Sequence, residues 1–362
     1  MTEPTYIPLR LHTEFSITDG MVRIKKLITK AQEYGLPALG ISDLMNEFGL
    51  VKFYKACRGA GIKPIGAADV WIGNPNAPDK PFRAMLIIRN DAGYLRLSEL
   101  LTAAYVGKDR NVHHAELNPE WLENGDNSGL ICLSGAHYGE VGVNLLNGNE
   151  DAARAAALKY AAWFPDAFYL ELQRLPERPE WEACVSGSVK LAEELGLPVV
   201  ATHPTQFMSR DDFNAHEARV CIAGGWVLTD KKRPRDFTPS QFFIPPETML
   251  ERFADLPEAL ENTVEIAKRC NLHITLGKNF LPLFPTPDGL SLDDYLVKLS
   301  NEGLQERMVQ LYPDEAERAA KMPEYQERLD FELNIIIQMK FPGYFLIVQD
   351  FINWAKTHGC PV

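Results

Sequence analysis

Two spacings of apolar residues alternate along the chain up to about residue 276. Short apolar runs read as buried strands: IPLRL (7–11), LPALGIS (36–42), KPIGAADVWI (63–72), RAMLIIR (83–89), SGLICLS (128–134), AFYLELQ (167–173) and LPVVAT (197–202). Between them lie stretches with helical periodicity: VRIKKLITKAQEYG, LVKFYKACRGAG, DAGYLRLSELLTAAY, EDAARAAALKYAAWF and WEACVSGSVKLAEELG. Asp91 reads as an N-cap, and Gly35, Gly61 and Gly196 read as helix stops. Strands alternating with helices predict parallel βαβ units. Seven such strands favour a closed barrel over the alternative, an open doubly wound sheet.

From about residue 280 the pattern changes. NFLPLFPTPDGLS is proline-rich and reads as a linker. LDDYLVKLSNEGLQERMVQLY and EYQERLDFELNIIIQM then read as long helices, followed by the apolar, aromatic FPGYFLIVQDFINWAKTHGCPV. That stretch ends on Cys360-Pro361-Val362 without a stop signal, so the expectation is a segment that continues.

Composition narrows the class. With 362 residues, 46% of them hydrophobic, the chain can bury a large core. Mean hydropathy is -0.19, and no apolar run approaches the roughly 20 residues of a membrane span. The start, MTEPTYIPL, has no basic and apolar leader pattern, which predicts a cytoplasmic protein. Cysteines at 57, 132, 184, 221, 270 and 360 form no Cys-x-x-Cys pair, so zinc fingers are unexpected and reduced core thiols fit. A net charge of -12 argues against a dedicated non-specific nucleic-acid binder, though not against a local DNA contact.

In a barrel of this type, chemistry gathers past the carboxyl ends of the strands. His12, Asp43, Asp69, Ser134 with His137, Gln173 and His203 all fall there and form one candidate rim. His12 ends a strand two positions after Arg10, where a metal site built on a His-x-His pair would place its first histidine. Arg10 cannot ligate a cation, because its guanidinium stays protonated. Asp19 lies in the turn SITDG, and Asp43 could cap the next helix. Asp69 sits in a strand so apolar that its charge requires a partner. His216 reads as a hydrogen-bonded helix residue. One basic cluster, TDKKRPRDF, carries Lys231, Lys232, Arg233 and Arg235. It is either a solvated loop or a contact to a phosphate backbone.

The stretches LRLHTEFSITDG, PALGISDLMNEFGLVKFYKACRGAGIKPIGAADV and NDAGYLRLSELLTAAY resemble the opening of the bacterial replicative DNA polymerase III alpha-subunit family. So do RDDFNAHEARV, LPEALENTVEIAKRCN, FLPLFPTPDG and FPGYFLIVQDFINWAKTHGCPV, in the same order. The resemblance covers essentially the whole chain. It implies a PHP-type (β/α)7-like barrel at 1–276, followed by a mainly helical segment at 277–362 that begins the polymerase palm. It also implies DNA-directed DNA polymerase activity with Mg²⁺ in the intact protein. The family's phosphate loop and catalytic aspartates belong to later sequence. The partners implied are DNA, a separate proofreading exonuclease subunit and other holoenzyme subunits engaged through regions absent here, with no membrane.

Active PHP domains in this family hold up to three metals. Against their ligand pattern, Arg10 stands for the first histidine of the pair and His12 keeps the second. Asp19 matches the turn acid. Asp43 matches, but Leu44 replaces the next histidine. Asp69 stands for a glutamate, and Arg83 falls where an isolated histidine belongs. His137 lies near the following ligand. Pro204 and Gln206 replace the final Asp-x-His, with His203 one residue out of register. His12, Asp19 and Asp69 are the remaining metal candidates. The resemblance therefore implies a metal-depleted, inactive domain whose arginines pair with Asp19, Asp43 or Asp69. The alternative is a working metal-dependent phosphoesterase or 3′–5′ exonuclease. An unrelated barrel enzyme would require the motif agreement to be accidental.

Overall fold

The computed structural model describes residues 4–278 and 281–362. The chain divides into two compact units, Met1–Ile274 and Thr275–Val362. Among the described residues, no single helix is long and apolar enough to cross a membrane.

The first unit is built on one sheet of six strands in sequential order. Its elements are α1 (Ile24–Glu33), β1 (Ala38–Leu44), α2 (Leu50–Gly59), β2 (Lys63–Ile72), β3 (Phe82–Ile88), α3 (Asp91–Val106) and α4 (Pro119–Glu123). There follow β4 (Leu130–Leu133), α5 (Glu140–Leu146), α6 (Glu150–Trp163), β5 (Phe168–Leu172), α7 (Glu182–Leu195), β6 (Val199–Ala201), α8 (Phe213–Gly224), α9 (Pro246–Arg252) and α10 (Pro257–Arg269). The predicted helices all form. Gly35, Gly61 and Gly196 take φ of 64°, 74° and 65° just past helix ends, the left-handed stop that glycine adopts without strain.

Three details depart from expectation. First, the sheet is mixed: β1–β2, β4–β5 and β5–β6 are parallel, but β3 runs antiparallel to both β2 and β4. Residues 73–81 connect β2 to β3 and are too few for a crossover helix. Second, 7–11 is extended but forms no regular ladder. Pro8 has no N–H to give. Instead the segment lies along β1, where Gly40 N donates to Pro8 O at 2.8 Å and Ser42 N to Leu11 O at 2.8 Å. On its other side His12 N donates to Thr205 O at 2.9 Å. The approach is close enough that a Cβ on Gly40 would lie 2.4 Å from Leu9 O. The expected α/β architecture, strands alternating with helices and then a helical segment, is present; its sheet has six strands rather than seven, one of them antiparallel, with an irregular segment beside the first. Third, the α3 cap is Asn90, whose side chain accepts from Gly93 N. Asp91 is the first helical residue, and its carboxylate accepts from His273 N.

Leu11, Leu27, Phe53, Ile65, Met85, Ile131 and Leu170, all fully buried, belong to the continuous core between sheet and helices. At about 25 cal/mol per Å² of apolar area, this core is the main stabilising term. Five of the six cysteines are buried in this unit and unpaired, while Cys360 is exposed.

The second unit contains α11 (Leu292–Leu311), α12 (Glu315–Gln338) and α13 (Pro342–Thr357). Leu296, Leu333 and Leu346 are its buried centre. α12 starts before the stretch expected, because Asp314 caps it and the helix runs through Pro323. Among the described residues, the predicted linker is non-helical apart from a short turn at Pro287–Gly289. Its residues Asn279 and Phe280 lie outside the described residues.

Candidate functional site

The mixed sheet explains which residues meet. The carboxyl ends of β1, β4, β5 and β6 point to one rim, and β3, running the other way, brings its amino end there. Asp69 lies opposite Leu44 across β1–β2 and opposite Met85 across β2–β3. Arg83, near the start of β3, therefore sits beside the carboxylates.

Arg10 is buried at 6% exposure and bridges two strands. Its Nη1 donates to Asp69 Oδ2 at 2.5 Å, while Nε and Nη2 grip Glu171 at 2.7 and 2.9 Å. Glu171, on β5, also accepts from Thr202 Oγ1 at 2.5 Å, Gln173 Nε2 at 3.2 Å and Gly135 N at 3.1 Å. His12 lies between Asp19 (Nδ1 to Oδ1, 2.9 Å) and Asp69 (Nε2 to Oδ2, 3.0 Å). Two acceptors require both ring nitrogens to carry hydrogen, so this is an imidazolium. Burial disfavours that charge, but Asp19 and Asp69 outweigh it and raise the pKa to about 9. Arg83 Nη2 stands 3.2 Å from Asp69 and 3.5 Å from Asp19, close enough to pair but out of hydrogen-bond alignment. Its guanidinium lies over the Trp71 ring, 4.7 Å from the centroid. Burial would raise the Asp69 pKa, yet Arg10, Arg83 and His12 hold it well below the usual carboxylate range. Three cations thus face three carboxylates in a closed, neutral network.

The other expected site residues divide. Asp43 is buried but meets no arginine. It accepts from Thr13 N at 2.7 Å, from Thr13 Oγ1 at 2.8 Å and from Ser16 Oγ at 2.8 Å. Nor does it cap α2. It ties β1 to the turn after His12, and burial pushes its pKa up despite those hydroxyls. Asp19 is held in place by its own carbonyl, bonded to His216 Nε2 at 2.6 Å. Leu44, His137, Pro204 and Gln206 line the cavity over the rim, about 400 Å³ in volume. His137 stacks on Trp181 with centroids 3.5 Å apart. Neither of its ring nitrogens has a hydrogen-bond partner, and burial with Arg83, Arg10 and Arg178 nearby lowers its pKa to about 3. His203 points away from this cavity and bonds Phe242 O at 2.9 Å, as its register predicts.

Glu171 was not singled out from sequence. The argument applied to Asp69, a lone carboxylate in an apolar strand, would have found it in AFYLELQ. The basic loop needs a correction. Lys231, Lys232 and Arg235 are exposed, but Arg233 is buried and bonded to Glu217 at 2.6 Å. Arg233 is structural and is not available to a phosphate.

The donor set does not fit a metal cluster. His12, Asp19 and Asp69 are each committed to internal charge partners. Arg10 cannot ligate a cation, while Leu44 and Pro204 offer no side-chain donor. Among the described residues, no three His, Cys, Asp or Glu side chains are arranged to hold a metal ion.

Comparison with known proteins agrees with this architecture. The PHP domain family model matches residues 8–175, and that of the bacterial DNA polymerase III alpha NTPase domain matches residues 294–362. The first unit therefore carries a PHP domain, with the arginine-filled rim largely inside the matched region. DNA polymerase III subunit alpha of Neisseria meningitidis serogroup A is 98% identical over 362 residues, 100% of this chain and 32% of that protein. Its counterpart in Escherichia coli O6:H1 is 48% identical over 100% of this chain and 31% of that protein. The chain belongs to the bacterial DNA polymerase III alpha subunits, and it spans about a third of the length of the curated relatives it matches. An amidohydrolase structure from Chromobacterium violaceum aligns at 12% identity and a TM-score of 0.32, over 59% of this chain and 96% of that one. That likeness is too distant to carry chemistry.

Proposed function

We propose that the PHP domain is metal-depleted and non-catalytic, and that it braces a replicative DNA polymerase and offers a docking surface to a separate proofreading exonuclease subunit. One observation carries the first part: Arg10 bonds Asp69 and Glu171 at once, occupying with fixed positive charge the place a cation would take. A cation beside two guanidiniums would meet repulsion, and its candidate ligands are already neutralised. The relatives' name supports the wider reading, in which the whole protein is a cytoplasmic DNA-directed DNA polymerase using Mg²⁺ and acting within a holoenzyme.

The test is metal content by mass spectrometry on tag-free protein dialysed against trace Zn²⁺ and Mn²⁺, with a phosphoester hydrolysis assay on the same sample. Substoichiometric metal and no turnover are expected. Two or three bound metals, with turnover abolished by His12→Ala, would instead establish a working phosphoesterase or 3′–5′ exonuclease. Docking is tested by titrating the purified exonuclease subunit against this chain, where absence of a complex would refute it.

The loop Lys231, Lys232 and Arg235 supports a modest DNA-backbone contact. Replacing all three by alanine should flatten the salt dependence of DNA binding by up to about 3 in log–log slope, without changing sequence preference. An unchanged slope would assign the loop to solvent.

A further inference from the structure

The loop that carries the basic cluster is also apolar. Residues 222–229 are exposed without interruption. Four of them are large and apolar: Ile222, Trp226, Val227 and Leu228, at 83%, 41%, 67% and 45% exposure. Single exposed apolar residues are ordinary, but four together beside a cluster of cations mark a contact surface. The loop is internally tied. Arg233, buried on Glu217, donates from Nε to Leu228 O and from Nη1 to Pro234 O, both at 3.3 Å, and so draws the outgoing and returning backbone together. Arg178 Nη2 donates to Arg235 O. Lys231 and Lys232 therefore stand at the tip, with Trp226 and Arg235 flanking the neck. The Trp226 indole rests on the end of α8 at Gly224, where a Cβ would lie 2.7 Å from its Cδ1. A supported aromatic ring is thus left open beside three exposed cations. Of the loop's carboxylates, Asp230 accepts from Lys232 N at 2.8 Å and Asp236 lines the rim cavity.

We infer that this surface binds single-stranded DNA, with an unpaired base stacked on Trp226 and the adjoining phosphates on Lys231, Lys232 and Arg235, a reading that rests on the DNA-backbone contact proposed above. Duplex DNA would meet the three cations but offer Trp226, Val227 and Leu228 nothing, because its base faces are stacked inside the helix. A protein partner would suit the apolar residues, but lysines are depleted from protein interfaces. An aromatic face set among cations matches the alternation of bases and phosphates in a single strand, and stacking accepts any base.

Fluorescence anisotropy of the full chain at low salt tests this with three labelled dodecamers: oligothymidine, its duplex with oligoadenosine, and an abasic strand that keeps the phosphates and lacks bases. Oligothymidine should bind about tenfold more tightly than the abasic strand, as one stacked base provides. Trp226→Ala should abolish that advantage and leave duplex affinity unchanged, while Trp226→Phe should restore part of it. An unchanged melting curve checks that both variants fold. Equal binding of oligothymidine and the abasic strand, an advantage that survives Trp226→Ala, or an equal loss of duplex binding would each overturn the inference. A salt dependence flattened by the triple alanine variant, with no effect of Trp226→Ala, would leave the backbone contact standing and remove the single-strand preference. No effect of either variant would refute both.

Discussion

Glu171→Ala should lower the stability of the first unit by roughly 3–5 kcal/mol, the range for breaking a buried ion pair from one side. The substitution removes two short bonds to Arg10 and one to Thr202 and leaves the guanidinium buried against Asp69 alone. The loss follows from the stranded charge more than from the pair's net strength, because desolvating both partners offsets much of their attraction. Removing both charges with Arg10→Met and Glu171→Leu should therefore destabilise by less than the two single substitutions together. Denaturant unfolding followed by tryptophan fluorescence measures this well, since five of the six tryptophans lie in the first unit. A loss below about 1 kcal/mol, typical of surface pairs, would show that the rim is open to water and that Arg10 does not hold it shut.

Stability should also peak near neutral pH and fall on both sides, with different histidines responsible. His12 is raised to about 9 in the folded state, against 6.5 unperturbed. Its contribution is complete below pH 6.5 and is lost as pH rises through about 9. The loss is on the order of 3 kcal/mol, because each tenfold gain in proton affinity on folding is worth about 1.36 kcal/mol. His137 and His203 are lowered to about 3. The unfolded chain takes up their protons first, so stability falls as pH drops from 6.5 toward 3. Below about pH 4 the paired carboxylates Asp19 and Asp69 add to the loss, because their pKa values are lowered. His12→Gln should flatten the alkaline limb while lowering the plateau. His137→Phe should flatten part of the acid limb at no cost near neutrality, since it keeps the stack on Trp181 and removes two unpaired nitrogens. A melting temperature that is constant from pH 6.5 to 9 would show that His12 is neutral in the folded protein.

Much of this molecule follows from local sequence. The helix faces, their glycine stops, the apolar runs that became strands and the change of texture near residue 276 all rest on periodicity and turn chemistry. These act within a few residues and are readable in one dimension. The residue types at the rim were legible for the same reason: Arg10, Leu44, Pro204 and Gln206 are identities, and an arginine or a leucine is no ligand wherever it lies. Tertiary structure alone decided how the remaining charges are spent. Nothing near Arg10 in sequence points to Glu171, 161 residues away. Nothing in GISDL shows that Asp43 serves Thr13 and Ser16 and that Asp69 takes the arginines. The short β2–β3 connection reverses β3 and carries Arg83 to the rim, while Glu217 draws Arg233 out of the basic loop and into the interior. Pairing energies depend on distance and burial, and both are set by the packing of strands remote in the chain.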